Sequence, residues 1–183
     1  MSRKPSTNFL SFKYIGGVSQ ISLEKEVISG IVICDLHFKI IDRAIGRFLT
    51  DYPYVPGKLV YREGPAVILA FKNLKIRPDV LLLPCSGICH PEFRGMAYVI
   101  GNLLNLPTVG VTKRLLCGES RENKIFYNGK QVGWKLKNIY ISPGYKISLN
   151  ESLEIVKFSM RSHRLPEPIY LAKKYVSSIT LNS

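Results

Sequence analysis

The chain has 183 residues, enough for one domain with a substantial core. Hydrophobic residues make up 46% of it, which excludes general disorder. Its formal net charge is +13, with 13 basic and 8 acidic groups in residues 1–106 and 13 and 5 in residues 107–183, so the excess belongs to the whole chain and attracts polyanions, nucleic acid foremost.

The predicted elements follow in chain order. Residues 14–21 read as a first strand with a glycine-softened start, and the β-branched run 27–34 as a second. A turn at Asp35 leads into a third strand over 37–46. Strands this close in sequence form an antiparallel meander. Apolar residues at helical spacing over 66–74 mark the C-terminal part of a helix starting near Leu59. Residues 77–84, with the run Val80-Leu-Leu-Leu83, read as a buried strand. A helix follows over 92–104, its apolar face supplied by Met96, Ala97, Val99, Ile100 and Leu103, and then another buried strand over 107–112. Short strands around Trp134 fill 129–141, and a last amphipathic helix covers 150–160, capped by Asn150 with Glu151 and Glu154 in its first turn. A meander followed by alternating helices and strands indicates an α/β fold with a sheet of mixed direction, the order found in the ribonuclease H-like architecture. No linker or repeat divides the chain, so residues 1–183 are read as a single domain.

No apolar run reaches the ~18–20 residues needed to cross a bilayer. The first eight residues are not followed by an apolar segment of signal-peptide type. The expectation is a cytoplasmic protein without a membrane partner. Cys34, Cys85, Cys89 and Cys117 lack paired zinc-site spacing and are read as buried thiols. Cys85-x-x-x-Cys89-His90 as a set of soft ligands is the competing reading.

The richest stretch is Asp51-Tyr-Pro-Tyr-Val-Pro-Gly-Lys-Leu-Val-Tyr-Arg-Glu-Gly-Pro65. Proline fixes φ at Pro53 and Pro56, on either side of Tyr54, and a rigid aromatic turn of this kind is able to wedge between stacked bases. Behind it the apolar segment carries one isolated acid, Glu63.

Seven segments, in order, resemble the successive motifs of endonuclease V: Tyr14-Ile-Gly-Gly-Val-Ser19, Tyr52-Pro-Tyr-Val-Pro-Gly57, Tyr61-Arg-Glu-Gly-Pro65, Ser86-Gly-Ile-Cys-His-Pro91, Pro107-Thr-Val-Gly-Val-Thr-Lys113, Ile141-Ser-Pro-Gly-Tyr145 and Leu165-Pro-Glu-Pro168. The resemblance covers nearly the whole chain. It implies a ribonuclease H-like fold and metal-dependent cleavage of a phosphodiester near a deaminated purine, typically inosine, in DNA or RNA. Such chemistry needs clustered carboxylates, because Mg²⁺ offsets the charge that builds on the phosphate and is itself held by carboxylate oxygens.

By that resemblance Glu63 matches the family's glutamate and Lys113 its lysine near the scissile phosphate, with Arg114 extending the charge. The family has an aspartate where this chain has Ser19, an aspartate where it has Pro84 and a histidine where it has Tyr145. Pro53, Tyr54, Val55, Pro56 and Gly57 match the wedge turn. Gly87 matches the backbone that lines the base pocket, and His90 matches a histidine able to touch phosphate. Glu92 stands where the family often has a basic residue.

With three of four expected groups replaced, the chain reads as an endonuclease V-like nucleic-acid-binding protein whose metal-dependent cleavage is lost or strongly impaired. No cofactor is then expected, with Mg or Mn required by any remaining activity. The alternative is an active Mg/Mn-dependent endonuclease with a rearranged site, in which Asp35 or Asp79 approaches Glu63. A third reading is a protein-interaction module reusing the scaffold.

Overall fold

The computed structural model describes residues 11–180. Nine strands form one sheet in the order β3-β2-β1-β4-β5-β9-β8-β7-β6. β1 (Ile15–Ser22), β2 (Glu26–Cys34) and β3 (Ile40–Leu49) are the antiparallel meander. β4 (Val80–Leu83) and β5 (Thr108–Thr112) run parallel to β1 and continue the sheet from it. β6 (Glu119–Arg121), β7 (Lys124–Tyr127), β8 (Lys130–Leu136) and β9 (Ile139–Pro143) return antiparallel on the far side of β5. The expected ribonuclease H-like mixed sheet is present.

Helices cover both faces, which is why the central strands are apolar on both sides. α1 (Leu59–Lys72) and α2 (Met96–Leu104) pack on one face against Val18, Ile31, Ile33, Leu81 and Leu83. α3 (Leu149–Ser159) and α4 (Glu167–Thr180) lie on the other face, where Ile155 and Ile169 meet Ile15, Val80, Leu82 and Val111. β4 sends alternate side chains into the two cores, and all four are fully buried.

Several boundaries differ from the sequence reading. β3 starts at Ile40 because Asp35 Oδ1 accepts the His37 and Lys39 amides at 2.9 Å each and closes a turn there. α2 starts at Met96, not Glu92, because the Phe93 N–H closes a turn onto the His90 carbonyl and Phe93 takes φ 55°. α3 is capped by Ser148 and not Asn150: Ser148 and Glu151 form a reciprocal capping box. The helix expected to be last is followed by α4, and a β6–β7 hairpin precedes the strands expected around Trp134. Among the described residues no helix is long and apolar enough to cross a membrane.

α4 sits unusually close to the sheet. A Cβ at Gly17 would lie 2.1 Å from the Pro168 carbonyl carbon, so only glycine in β1 admits the start of α4. This contact fixes where the face bearing Ile169 and Lys173 points.

Candidate functional site

The parallel strands β1, β4 and β5 end on the same side of the sheet, and ligands of open α/β sheets bind outside such carboxyl ends. A cleft of about 540 Å³ opens there. β1 contributes Ser19 and Gln20, the segment after β4 contributes Pro84, Cys85 and Ser86, and the segment after β5 contributes Lys113 and Arg114. α1 adds Leu59 and Glu63, the preceding turn adds Tyr54, Pro56 and Gly57, and α4 adds Ile169 and Lys173. Residues far apart in sequence are thus gathered by topology alone.

The turn before α1 is built from its sequence. Val55 C=O accepts the Lys58 amide at 2.9 Å around Pro56 and Gly57, and Gly57 has φ +80°. Proline followed by glycine is what a turn with a positive φ at its third residue requires. The turn leaves Tyr54 64% exposed at the mouth of the cleft. Pro53 and Val55 belong to the same turn but do not line the cleft.

Two buried side chains hold this turn. Arg62, 6% exposed, donates from Nε to Ser22 Oγ at 2.9 Å, from Nη1 to the Tyr52 carbonyl, and from Nη2 to the carbonyls of Leu23 and Glu24. One guanidinium therefore ties the turn to the β1–β2 hairpin. His90, also 6% exposed, donates from Nε2 to the Gly57 carbonyl at 2.8 Å and accepts the Glu92 amide on Nδ1 at 3.1 Å. A carbonyl only accepts, so Nε2 carries the proton. Both ring nitrogens are engaged by backbone, and His90 braces the turn rather than offering a free nitrogen to phosphate.

Glu63 enters the cleft from the second turn of α1. Burial pushes its carboxyl above the usual carboxylate range, with the Arg62 charge opposing this. Cys85 lies beside it, and its thiol is pushed far up by burial and then by the Glu63 charge. Cys89 points instead into a separate cluster with Ile125 and Val132, and its Sγ donates to the Cys117 carbonyl at 3.4 Å. Cys85, Cys89 and His90 therefore do not converge as soft ligands.

Ser19, Glu63, Pro84 and Lys113 share the cleft, but Tyr145 does not. Beyond β9 the Tyr145 amide donates to Thr108 Oγ1 at 3.0 Å, and its ring packs edge-on against Tyr98 of α2 with centroids 5.9 Å apart. The chain element that completes the cleft in its stead is α4 with Lys173, which sequence reasoning missed. The available signal was the apolar spacing Ile169, Ala172, Val176 after the Leu165-Pro-Glu-Pro168 motif, which reads as a helix with Lys173 beside its buried face.

Gly87 also departs from its expected place. A Cβ there would lie 2.1 Å from the Pro143 carbonyl oxygen, so its bareness admits the close approach of two backbone segments, and Gly87 is not among the residues lining the cleft. Asp35 and Asp79 lie at the opposite ends of the strands from the cleft. Asp79 Oδ2 accepts the Lys13 and Tyr14 amides at 2.7 and 2.8 Å just before β1, and Asp35 follows the β2 residue that pairs with Ile15. A rearranged site built on either with Glu63 is ruled out by this placement. Among the described residues, Glu63 is the one carboxylate lining the cleft, and no three His, Cys, Asp or Glu side chains gather anywhere in a metal-holding arrangement.

Comparison with known proteins agrees with the architecture. The family model for endonuclease V matches residues 1–174. The endonuclease V of Dictyoglomus turgidum is 36% identical over 192 residues, which cover 96% of this chain and 83% of that protein. That of Dictyoglomus thermophilum is 34% identical over 182 residues, covering 91% and 80%. Among solved structures, the endonuclease V of Streptomyces avermitilis superposes with a TM-score of 0.84 at 23% identity, covering 92% of this chain and 82% of that one. The Ciona intestinalis enzyme, crystallised with a 24mer DNA containing an inosine followed by a ribo-adenosine, gives 0.76 at 22% identity, covering 94% and 87%. Motif order, cleft and sequence relatives converge on one statement: this chain belongs to the endonuclease V family.

Proposed function

We propose that this chain is an endonuclease V-like protein that binds inosine-type lesions in nucleic acid and has lost, or strongly impaired, metal-dependent phosphodiester cleavage. The observation that carries the reading is the composition of the cleft: a single carboxylate, Glu63, among Lys113, Arg114 and Lys173.

The residues present do not fit the divalent ion that the family's chemistry implies. Mg²⁺ is held by carboxylate oxygens, and the strength of that hold comes from their negative charge. Ser19 offers a protonated hydroxyl and Pro84 offers no side-chain donor. Glu63 is itself biased by burial toward its neutral form.

The binding half of the reading rests on different residues. Tyr54 stands exposed on a turn fixed by Pro56 and Gly57 and held by Arg62 and His90. An aromatic held this way stacks where a base has left the helix. Extruding a base costs a few kcal/mol, and one stacked base returns about 1–3 kcal/mol. Lys113 and Arg114 at the end of β5 face the strand's phosphates. The homologue crystallised with inosine-containing DNA supports this choice of ligand.

The test is filter binding of inosine-containing DNA and RNA strands with and without Mg²⁺, with cleavage followed in the same tubes. Salt-sensitive binding with intact strands is expected. Cleavage that disappears in Glu63→Ala would establish the active-enzyme alternative, and absence of binding to every strand would reject the proposal.

A further inference from the structure

We infer that the cleft seats a backbone phosphate without any metal ion, and that Lys173 on α4 supplies the positive charge at its inner wall. The inference rests on the nucleic-acid reading above and gives its site a specific ligand group and a specific new residue. Leu165, Ile169 and Lys173 follow one another at spacings of four and all line the cleft. Ile169 is buried against Ile15 and Val80, which locks the helix face, and the Gly17–Pro168 approach fixes its height over β1. Lys173 is thereby brought to the cleft wall that β1 forms with Ser19.

Three features make this an anion site. Lys113, Arg114 and Lys173 form no ion pair among the described residues, so their charge is not already compensated. They outnumber the one carboxylate, Glu63, three to one. The Gln20 amide nitrogen, also in the lining, is buried and has no acceptor. A buried donor without a partner costs stability, and a phosphate oxygen would satisfy it. The same charges oppose a divalent cation. Side-chain cations thus do here what a metal bridge does in a carboxylate-lined cleft: they hold the phosphate, while no ionised water is generated to attack it.

The experiment uses the full chain in EDTA and a fluorescently labelled single-stranded DNA carrying one inosine, titrated across a salt series. The parent should bind with unchanged affinity when EDTA is replaced by Mg²⁺ or Mn²⁺. Lys173→Met should weaken binding and reduce the slope of log K against log salt by about 0.7, the increment for one phosphate contact on a single strand. Lys72→Met, an exposed lysine at the far end of α1, controls for net charge and should leave the slope unchanged. If the parent binds but EDTA abolishes binding, or if Lys173→Met behaves as Lys72→Met does, this inference is overturned while the nucleic-acid reading survives. If the parent binds no strand at all, the functional reading itself fails.

Discussion

The two walls of the cleft are built by different rules. The wall formed by the 50–58 turn and α1 is over-anchored: one buried guanidinium and one buried imidazole pin its backbone through five hydrogen bonds to hairpin, strand end and turn. The wall formed by the ends of β1 and β4 presents Ser19 and an exposed Pro84, neither of which carries charge. In this chain the turn bearing Tyr54 is held by buried hydrogen bonds, while Glu63 is the one carboxylate among the described residues that line the cleft. Geometry and charge of a site are therefore separable, because packing fixes one and a few side-chain termini fix the other.

The largest expected effect breaks the anchored wall. Arg62→Met leaves three backbone carbonyls and the Ser22 hydroxyl without their donor. At about 1 kcal/mol for each carbonyl, the loss is about 3 kcal/mol of stability, read by urea denaturation. Ser19→Ala on the opposite wall should stay within about 0.5 kcal/mol. Equal losses in the two variants would erase the contrast between the walls.

Next in size is the wedge. Tyr54→Ala should cost about 2 kcal/mol of affinity for a strand carrying inosine, the central value for one stacked base, with stability unchanged because the ring is exposed. Tyr145→Phe should leave affinity unaltered, since its ring lies on α2 away from the cleft. Competition binding at fixed salt distinguishes them.

A gain of function probes the wall that lacks carboxylates. Ser19→Asp with Pro84→Asp places two carboxylates beside Glu63 and should tighten Mn²⁺ binding at least about tenfold, or 1.4 kcal/mol, by calorimetry. Adding Lys173→Met removes an opposing charge and should tighten it again. No gain from the double variant would mean that strand-end geometry, not charge, keeps the ion out.

How much of this was legible beforehand follows the same division. The central strands were readable because Val80-Leu-Leu-Leu83 and the β-branched run of β2 are buried on both faces and leave a continuous apolar signature. The Pro56-Gly57 turn was readable because its φ demands those residues. α4 is the element hardest to read, because the proline-rich 165–168 segment masks its start and its apolar spacing of Ile169, Ala172 and Val176 rests on few residues. Tyr145 was placed in the site from motif order, which carries no information on which side of β9 the chain leaves. His90 matches a phosphate-touching histidine by resemblance, and its bracing role is hidden in the sequence because the Gly57 carbonyl that it donates to is 33 residues away.

The smallest expected effect concerns the lone acid between the walls. Burial raises the Glu63 pKa in the folded state, and the neighbouring Arg62 only partly offsets this. The folded protein therefore holds this proton to higher pH than the unfolded chain does. The stability it contributes is complete below the unfolded-state pKa and is lost as pH rises through the folded one. Glu63→Gln keeps the shape without the ionisation. It should match the parent in acid and exceed it in melting temperature at neutral pH and above, with the gap opening across the pH range just above ordinary glutamate titration. Bound strand should widen that gap, because an ionised Glu63 repels the phosphate that Lys113, Arg114 and Lys173 attract. If the variant is instead less stable than the parent at neutral pH, the ionised carboxylate is favoured by its surroundings, and the cleft is better suited to a cation than the arrangement of its charges implies.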